Sequence, residues 1–165
     1  MKQVVTSAET SRPQVSRGIR LALEGVMPWK QVILDFGAGK YNYAMHEVEE
    51  AGHVYLGYDP YNRSEEYNRY AITRAMEHCD IIVCSNVLNV LDSPHLVNGV
   101  LAQIELIATK NTQVIFTVWE GDRSGRGKYT KNGFQANQKL KFYLLYIKAH
   151  FKVAEIHNNA IYATK

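Results

Sequence analysis

Four short apolar runs alternate with stretches of helical periodicity, and this alternation constrains the fold more than any other feature of the chain. The runs are Gln31 to Asp35, His53 to Tyr58, Asp80 to Cys84 and Gln113 to Trp119. Around them, apolar residues recur at the spacing of one helix face. Val15, Ile19, Ala22 and Leu23 share a side over Gln14 to Glu24, with Gly25 at the end and Pro28 just beyond. Over residues 40 to 51, Ala44, Met45, Val48 and Ala51 face inward and Gly52 terminates the segment. Residues 61 to 79 are polar and tyrosine-rich, and read as a loop followed by a helix through Ala71 to His78. Pro94 to Thr109 places Leu96, Val97, Val100, Leu101, Ile104 and Ile107 on helical spacing. A glycine-rich loop over 120 to 133 leads to a helix at Gln135 to His150. KVAEIH, Asn158-Asn159 and AIYAT then read as a hairpin.

Strands alternating with helices imply an α/β fold: a doubly wound, mostly parallel sheet of Rossmann type, closed by an antiparallel C-terminal hairpin. DIIVC is apolar enough to be covered on both faces. A length of 165 residues suits a single domain over 1–165, and a 46% hydrophobic composition gives it a core to bury. No apolar run approaches a membrane helix, and Met1 to Gln14 lacks the apolar core of a leader peptide. Cys79 and Cys84 form no metal spacing, so no metal is expected. Cytoplasmic residence is the default expectation, and no membrane partner is expected.

On such sheets ligands sit at the carboxyl ends of the strands. The loops after Asp35, Asp59, Cys84 and Trp119 are therefore the expected site. The first of these, LDFGAGK, invites three readings. A triphosphate loop needs G-x-x-x-x-G-K-[ST], but Lys40 is followed by Tyr41 and the upstream glycine is missing. A dinucleotide fingerprint needs a third glycine where Asn42 stands. Asp35, two residues before Gly37, would repel a pyrophosphate but suits an ammonium group. Asp59, ending the second strand, can accept hydrogen bonds from two ribose hydroxyls. Asp35, Gly37, Gly39 and Asp59 together fit S-adenosylmethionine better than a dinucleotide, although each acid taken alone could be a turn former.

LDFGAGK, GYDPY and SNVLNVL resemble the first, second and fourth motifs of class I S-adenosylmethionine-dependent methyltransferases. More narrowly, VSRGIRLALE, LDFGAG, GYDPY, SNVLNVL and TKNGFQ, in that order, resemble methyltransferases associated with DNA phosphorothioation loci in bacteria and phages. The resemblance implies Gly37 and Gly39 against the methionine part of the cofactor, and Asp59 on the ribose. It puts Pro60 and Tyr61 beside the adenine and Asn86 near the reacting centre. Ser16, Arg17 or Arg20 would close over the cofactor carboxylate. About 20 residues separate Asp59 from the next strand. That is too few for the usual additional strand and helix, so a sheet lacking one edge strand is expected.

The acceptor is less legible. Ser85-Asn86-Val87-Leu88 lacks the prolines of DNA amino-methyltransferases, and Cys84 reads as a core residue rather than a nucleophile. Glu120 and Asp122, after a strand end facing the site, are the acid/base candidates; the alternative is plain loop solvation. From Arg123 to Lys152 there are eight basic residues and no acid. Such segregation suits a polyanion-binding face or a solvated basic surface. Within it, Arg123, Arg126, Lys128, Tyr129 and Lys131 form a candidate lid for nucleic acid or another anion, made mobile by Gly121, Gly125, Gly127 and Gly133. Sequence-specific reading of DNA by so short a chain would require a homodimer or a partner. The expected function is a methyltransferase. A non-catalytic binding module, an enzyme degrading S-adenosylmethionine and a nucleotide oxidoreductase are the alternatives.

Overall fold

The computed structural model describes residues 10–165, so the first nine residues of the segment read as carrying no leader lie outside the described residues. In chain order the strands are β1 (Val32–Phe36), β2 (Val54–Tyr58), β3 (Ile81–Ser85), β4 (Gln113–Thr117), β5 (Lys128–Thr130), β6 (Gly133–Gln135), β7 (Val153–His157) and β8 (Ala160–Thr164). The helices are α1 (Arg17–Glu24), α2 (Tyr43–Glu50), α3 (Glu65–Glu77), α4 (Pro94–Ile107) and α5 (Leu140–Lys148). Six strands form the main sheet, ordered β2-β1-β3-β4-β8-β7, while β5 and β6 pair separately. β1 to β4 run parallel, and the β7–β8 hairpin joins β4 antiparallel. Among the described residues β2 is an edge strand, and the chain passes from it through α3 directly to β3. The expected shortened sheet is what forms.

Strand residues alternate between two cores, as the pleat requires. Leu34, Ile82, Val114 and Phe116 pack with Ala71 and Ala75 of α3, Leu101 and Ile104 of α4, and Tyr143 and Ile147 of α5. Ile33, Val83 and Ile115 face the opposite way, onto Ile19 and Ala22 of α1 and Val48 of α2. Each fully buried aliphatic side chain contributes roughly 1.5–3 kcal/mol. Gly18 sets the approach of α1: a Cβ there would lie 2.5 Å from Val83 Cγ1. This close contact holds the start of α1 over the carboxyl end of β3.

Two helix starts depart furthest from the periodicity. α3 begins at Glu65 rather than Ala71, because the Ser64 hydroxyl accepts from the Tyr67 amide and Glu65 and Glu66 sit in the first turn. α5 begins at Leu140 rather than Gln135, because residues 133–135 belong to β6. The segment over 120–133, expected to be a glycine loop, begins with turns over 120–127 and then enters the β5–β6 hairpin, which docks on the loop after β3. Gly121, Gly125 and Gly133 take positive φ, the conformation its tight turns need. Asn137, buried beside it, donates from its Nδ2 to the Arg126 carbonyl and accepts the Asp122 amide.

Candidate functional site

The loop between β1 and α2 is held from several sides. Gly37 and Gly39 have φ of 95° and 67°. The amides of Gly37 and Ala38 both donate to the Tyr58 carbonyl, at 2.8 and 3.0 Å, and the Gly39 amide donates to Asp59 Oδ2 at 2.8 Å. Three successive N–H groups are thus taken up by the end of β2. A phosphate-cradling loop would point such groups outward. Val87 packs over Gly37, and the Ser11 side chain lies over Gly39.

Asp59 is 0% exposed. Its Oδ1 accepts from the amides of Tyr61 and Asn62 and from Asn62 Nδ2, at 2.9–3.0 Å. Asn68 of α3 reads the backbone of the same residue from behind, accepting its amide and donating to its carbonyl. The carboxylate expected on a ribose is here the keystone of the 59–62 turn. Pro60 and Tyr61 stand exposed at the surface of that turn.

Asp35 is buried below the glycine loop and accepts from the Tyr55 hydroxyl at 3.1 Å. Burial pushes its carboxyl up to about 7; the Tyr55 hydrogen bond and the Arg63 charge pull the other way, and Asp59 adds to the rise. Gly57 permits this pairing, because the Tyr55 ring lies along the strand where a Cβ on Gly57 would stand 2.9 Å from it. Asn86 follows β3, exposed, with φ of 59°, and its amide donates to the Thr117 carbonyl at 2.8 Å. Its left-handed backbone sets the chain turning away from the sheet.

No local pattern signals Arg63, yet it holds the loop at three points. Its Nε donates to the Gly39 carbonyl at 3.0 Å, one terminal nitrogen to Asn42 Oδ1 at 2.7 Å, and the other to the Tyr41 carbonyl at 2.9 Å. Its guanidinium also stands 5.6 Å from the Tyr67 ring centroid. A pattern of backbone carbonyl acceptors is invisible in sequence, and only the guanidinium fork, suited to several acceptors at once, hints at it.

The N-terminal candidates make their hydrogen bonds elsewhere. Ser16 caps α1, its hydroxyl accepting from the Ile19 amide. Arg17 donates to the carbonyls of Asn158 and Asn159 in the β7–β8 turn. Arg20 is exposed and lines, with Arg17, Glu24 and Asn158, an open cavity of about 540 Å³ between α1 and that turn.

On the other side of the sheet centre, the β5–β6 hairpin leans on the loop after β3. The Ala136 amide donates to the Asn89 carbonyl at 2.9 Å, Asn89 Nδ2 to Gln135 Oε1 at 3.2 Å, and Gln135 Nε2 to the Trp119 carbonyl at 2.9 Å. Tyr129 donates its hydroxyl to Asp92 at 2.5 Å, and its ring packs on Phe134 at 5.1 Å between centroids. The two acid/base candidates both have structural partners. Glu120 accepts the Leu140 amide at 2.7 Å, capping α5, and pairs with Arg123 at 2.6 Å. Asp122 is exposed, accepts the Ser124 amide, and lies 3.7 Å from Lys128. Its carboxyl is held below the ordinary range, chiefly by hydrogen bonds from Ser124. Arg126 and Lys131 are exposed and form no ion pair among the described residues.

No curated protein matches the chain in sequence. Solved structures share its architecture. The 1,6-didemethyltoxoflavin-N1-methyltransferase of Burkholderia thailandensis, solved with 1,6-didemethyltoxoflavin and S-adenosylhomocysteine, superposes with a TM-score of 0.64. It is 18% identical, over 90% of this chain and 77% of that one. A TehB-like SAM-dependent methyltransferase of Corynebacterium glutamicum gives 0.56 at 16% identity, covering 90% and 88%. The tRNA methyltransferase TrmK of B. subtilis gives 0.52 at 8% identity, covering 93% and 68%. At these identities the likeness is one of fold. The family model of the methyltransferase domain matches residues 11–152, most of the chain. No helix among the described residues is long and apolar enough to cross a membrane. Family match and fold agree, and the chain belongs to the methyltransferase domain family.

Proposed function

We propose that the protein is an S-adenosylmethionine-dependent methyltransferase whose acceptor approaches from the side of the β5–β6 hairpin. The observation that carries the cofactor reading is the state of the glycine loop. Three of its amides are engaged by Tyr58 and Asp59, and two carboxyl groups, Asp35 and Asp59, lie against it. That environment disfavours the phosphates of a dinucleotide or triphosphate and suits a ligand bearing an ammonium and a sulfonium. The residues present therefore fit S-adenosylmethionine.

When bound, S-adenosylmethionine supplies an electrophilic methyl group and leaves as a neutral thioether. The protein's task is alignment and exclusion of water. Asp35, once ionised, faces the ammonium. Gly37 and Gly39 let the backbone approach the methionine part, and the turn shaped by Asp59 presents Pro60 and Tyr61 to the adenosine. Asn86, exposed at the end of β3, orients the incoming acceptor. Neither Glu120 nor Asp122 is assigned a proton transfer, because the one caps α5 and the other is held as an exposed anion. An acceptor that sheds its proton after methyl transfer needs no protein base. The narrower likeness to enzymes of DNA phosphorothioation loci adds no acceptor chemistry of its own.

Calorimetric titration with S-adenosylmethionine, S-adenosylhomocysteine, NAD and ATP tests the cofactor assignment. Saturable binding of the first two and none of the others is expected. Binding of NAD or ATP in preference would overturn it.

A further inference from the structure

We propose that the β5–β6 hairpin is a docking surface for single-stranded nucleic acid, with Arg126 and Lys131 on phosphates and Trp119 and Tyr129 under unstacked bases. What is docked there becomes the methyl acceptor only if the methyl-transfer reading holds. The docking itself stands on three features of the surface.

Charge is the first. Of the basic residues between Arg123 and Lys152, Arg123 is paired with Glu120 and Lys128 lies near Asp122. Arg126 and Lys131 meet no carboxylate among the described residues. Asp92, the other acid nearby, accepts the Tyr129 hydroxyl. Two cations, Lys131 in the hairpin turn and Arg126 just before β5, thus keep their charge for an outside partner, and phosphate is the anion that a nucleic acid offers repeatedly.

Fixed aromatic surface is the second. Trp119 is 66% exposed at the end of β4, and Tyr129 is 58% exposed on β5. Both stand on segments tied to their surroundings. Tyr129 is held by Asp92 at its hydroxyl and by Phe134 along its ring. Phe134 in turn fits against Gly127, where a Cβ would lie 2.3 Å from its Cζ. The backbone of Trp119 is tied to the hairpin through Gln135. An exposed Tyr129 ring held at its hydroxyl and along one face, with an exposed Trp119 ring on a tied backbone and cations in the same segment, offers the stacking surface that unpaired bases use.

Placement is the third. The hairpin rests on Asn89 and Asp92, in the loop that begins with Asn86. A strand lying on the hairpin therefore passes the carboxyl edge of the sheet, where the glycine loop also opens. A duplex would bury its bases away from Trp119 and Tyr129, which favours the single strand.

The test uses the full chain and fluorescein-labelled mixed-sequence oligonucleotides, single-stranded and duplex, followed by anisotropy over a range of salt. Wild type should bind the single strand more tightly than the duplex. Arg126→Ala combined with Lys131→Ala should weaken binding and flatten the log–log salt slope by about 1.4, the loss of two phosphate contacts. Trp119→Ala should weaken binding roughly ten-fold with the slope unchanged. Thermal melts of each variant verify the fold. S-adenosylmethionine titrations on the same samples separate the two readings. Cofactor binding without oligonucleotide binding overturns the docking surface alone, whereas loss of both readings shows in both titrations. Equal binding of duplex and single strand, or competition by inorganic phosphate alone at concentrations that leave ionic strength constant, also overturns it.

Discussion

The Tyr55 hydroxyl donates to Asp35 Oδ2 at 3.1 Å, across neighbouring strands and beneath the glycine loop. It is the donor that helps Asp35 to carry a charge in a buried place.

Stability should fall as pH rises through the acid range. Asp35 has its carboxyl raised from 3.8 to about 7, chiefly by burial. Between those values the folded protein holds a proton that the unfolded chain has released, so each pH unit disfavours folding there. The effect is fully expressed above about pH 7 and amounts to at most ~4 kcal/mol. Denaturant unfolding at a series of pH values measures it. Asp35→Asn should flatten this limb, and Tyr55→Phe should extend it to higher pH by removing the donor. The same linkage predicts that S-adenosylmethionine binding tightens between about pH 6 and 8 and releases a proton in the lower part of that range, which calorimetry in buffers of different ionisation enthalpy detects.

Asp59→Ala should cost about 3 kcal/mol in stability, since it leaves the amides of Gly39, Tyr61 and Asn62 without their acceptor. Cofactor binding should be lost along with the shape of the turn. A variant that melts as wild type would show that the carboxylate is not the keystone of the turn.

Arg63→Lys keeps a positive charge but cannot reach three acceptors with a planar fork. The expected result is cofactor binding weakened about ten-fold and stability lowered by about 1–2 kcal/mol. Calorimetry and thermal melts read the two effects separately. Unchanged affinity would mean that the grip on Gly39, Tyr41 and Asn42 is irrelevant to the ligand.

Glu120→Ala should lower stability by about 1–2 kcal/mol through loss of the cap on α5 and of the Arg123 pair. Turnover on an accepted substrate should keep the pH profile of the wild type. Disappearance of one limb of that profile would give Glu120 a proton-transfer role after all.

How much of this was legible in the sequence varies with the range of the forces involved. β1 to β4 announced themselves because a strand covered on both faces must be apolar throughout, as Ile82-Val83 and Ile115-Phe116 are. Gly37 and Gly39 were legible because positive φ selects glycine. The hairpin was not, since KYT and GFQ are too short to declare themselves, and their pairing depends on Asn89, Asp92 and Asn137, which lie outside it. The start of α3 was obscured by its tyrosines and charges, although Ser64 with Glu65 and Glu66 was a readable cap. Arg63 acts on carbonyls up to 24 residues away, a relation that no local pattern encodes. Arg17 was one of three residues expected over the cofactor carboxylate, and its path to Asn158 could not be foreseen without the sheet order that brings the C-terminal turn beside α1.

The engagement of the Gly37, Ala38 and Gly39 amides by Tyr58 and Asp59 has a kinetic consequence. A loop already bonded to its own scaffold is preorganised. An arriving ligand need not freeze the backbone, so little of its affinity is lost to ordering the protein. Association should then run near the rate set by diffusion and docking, and differences in affinity among related ligands should reside in how fast each one leaves.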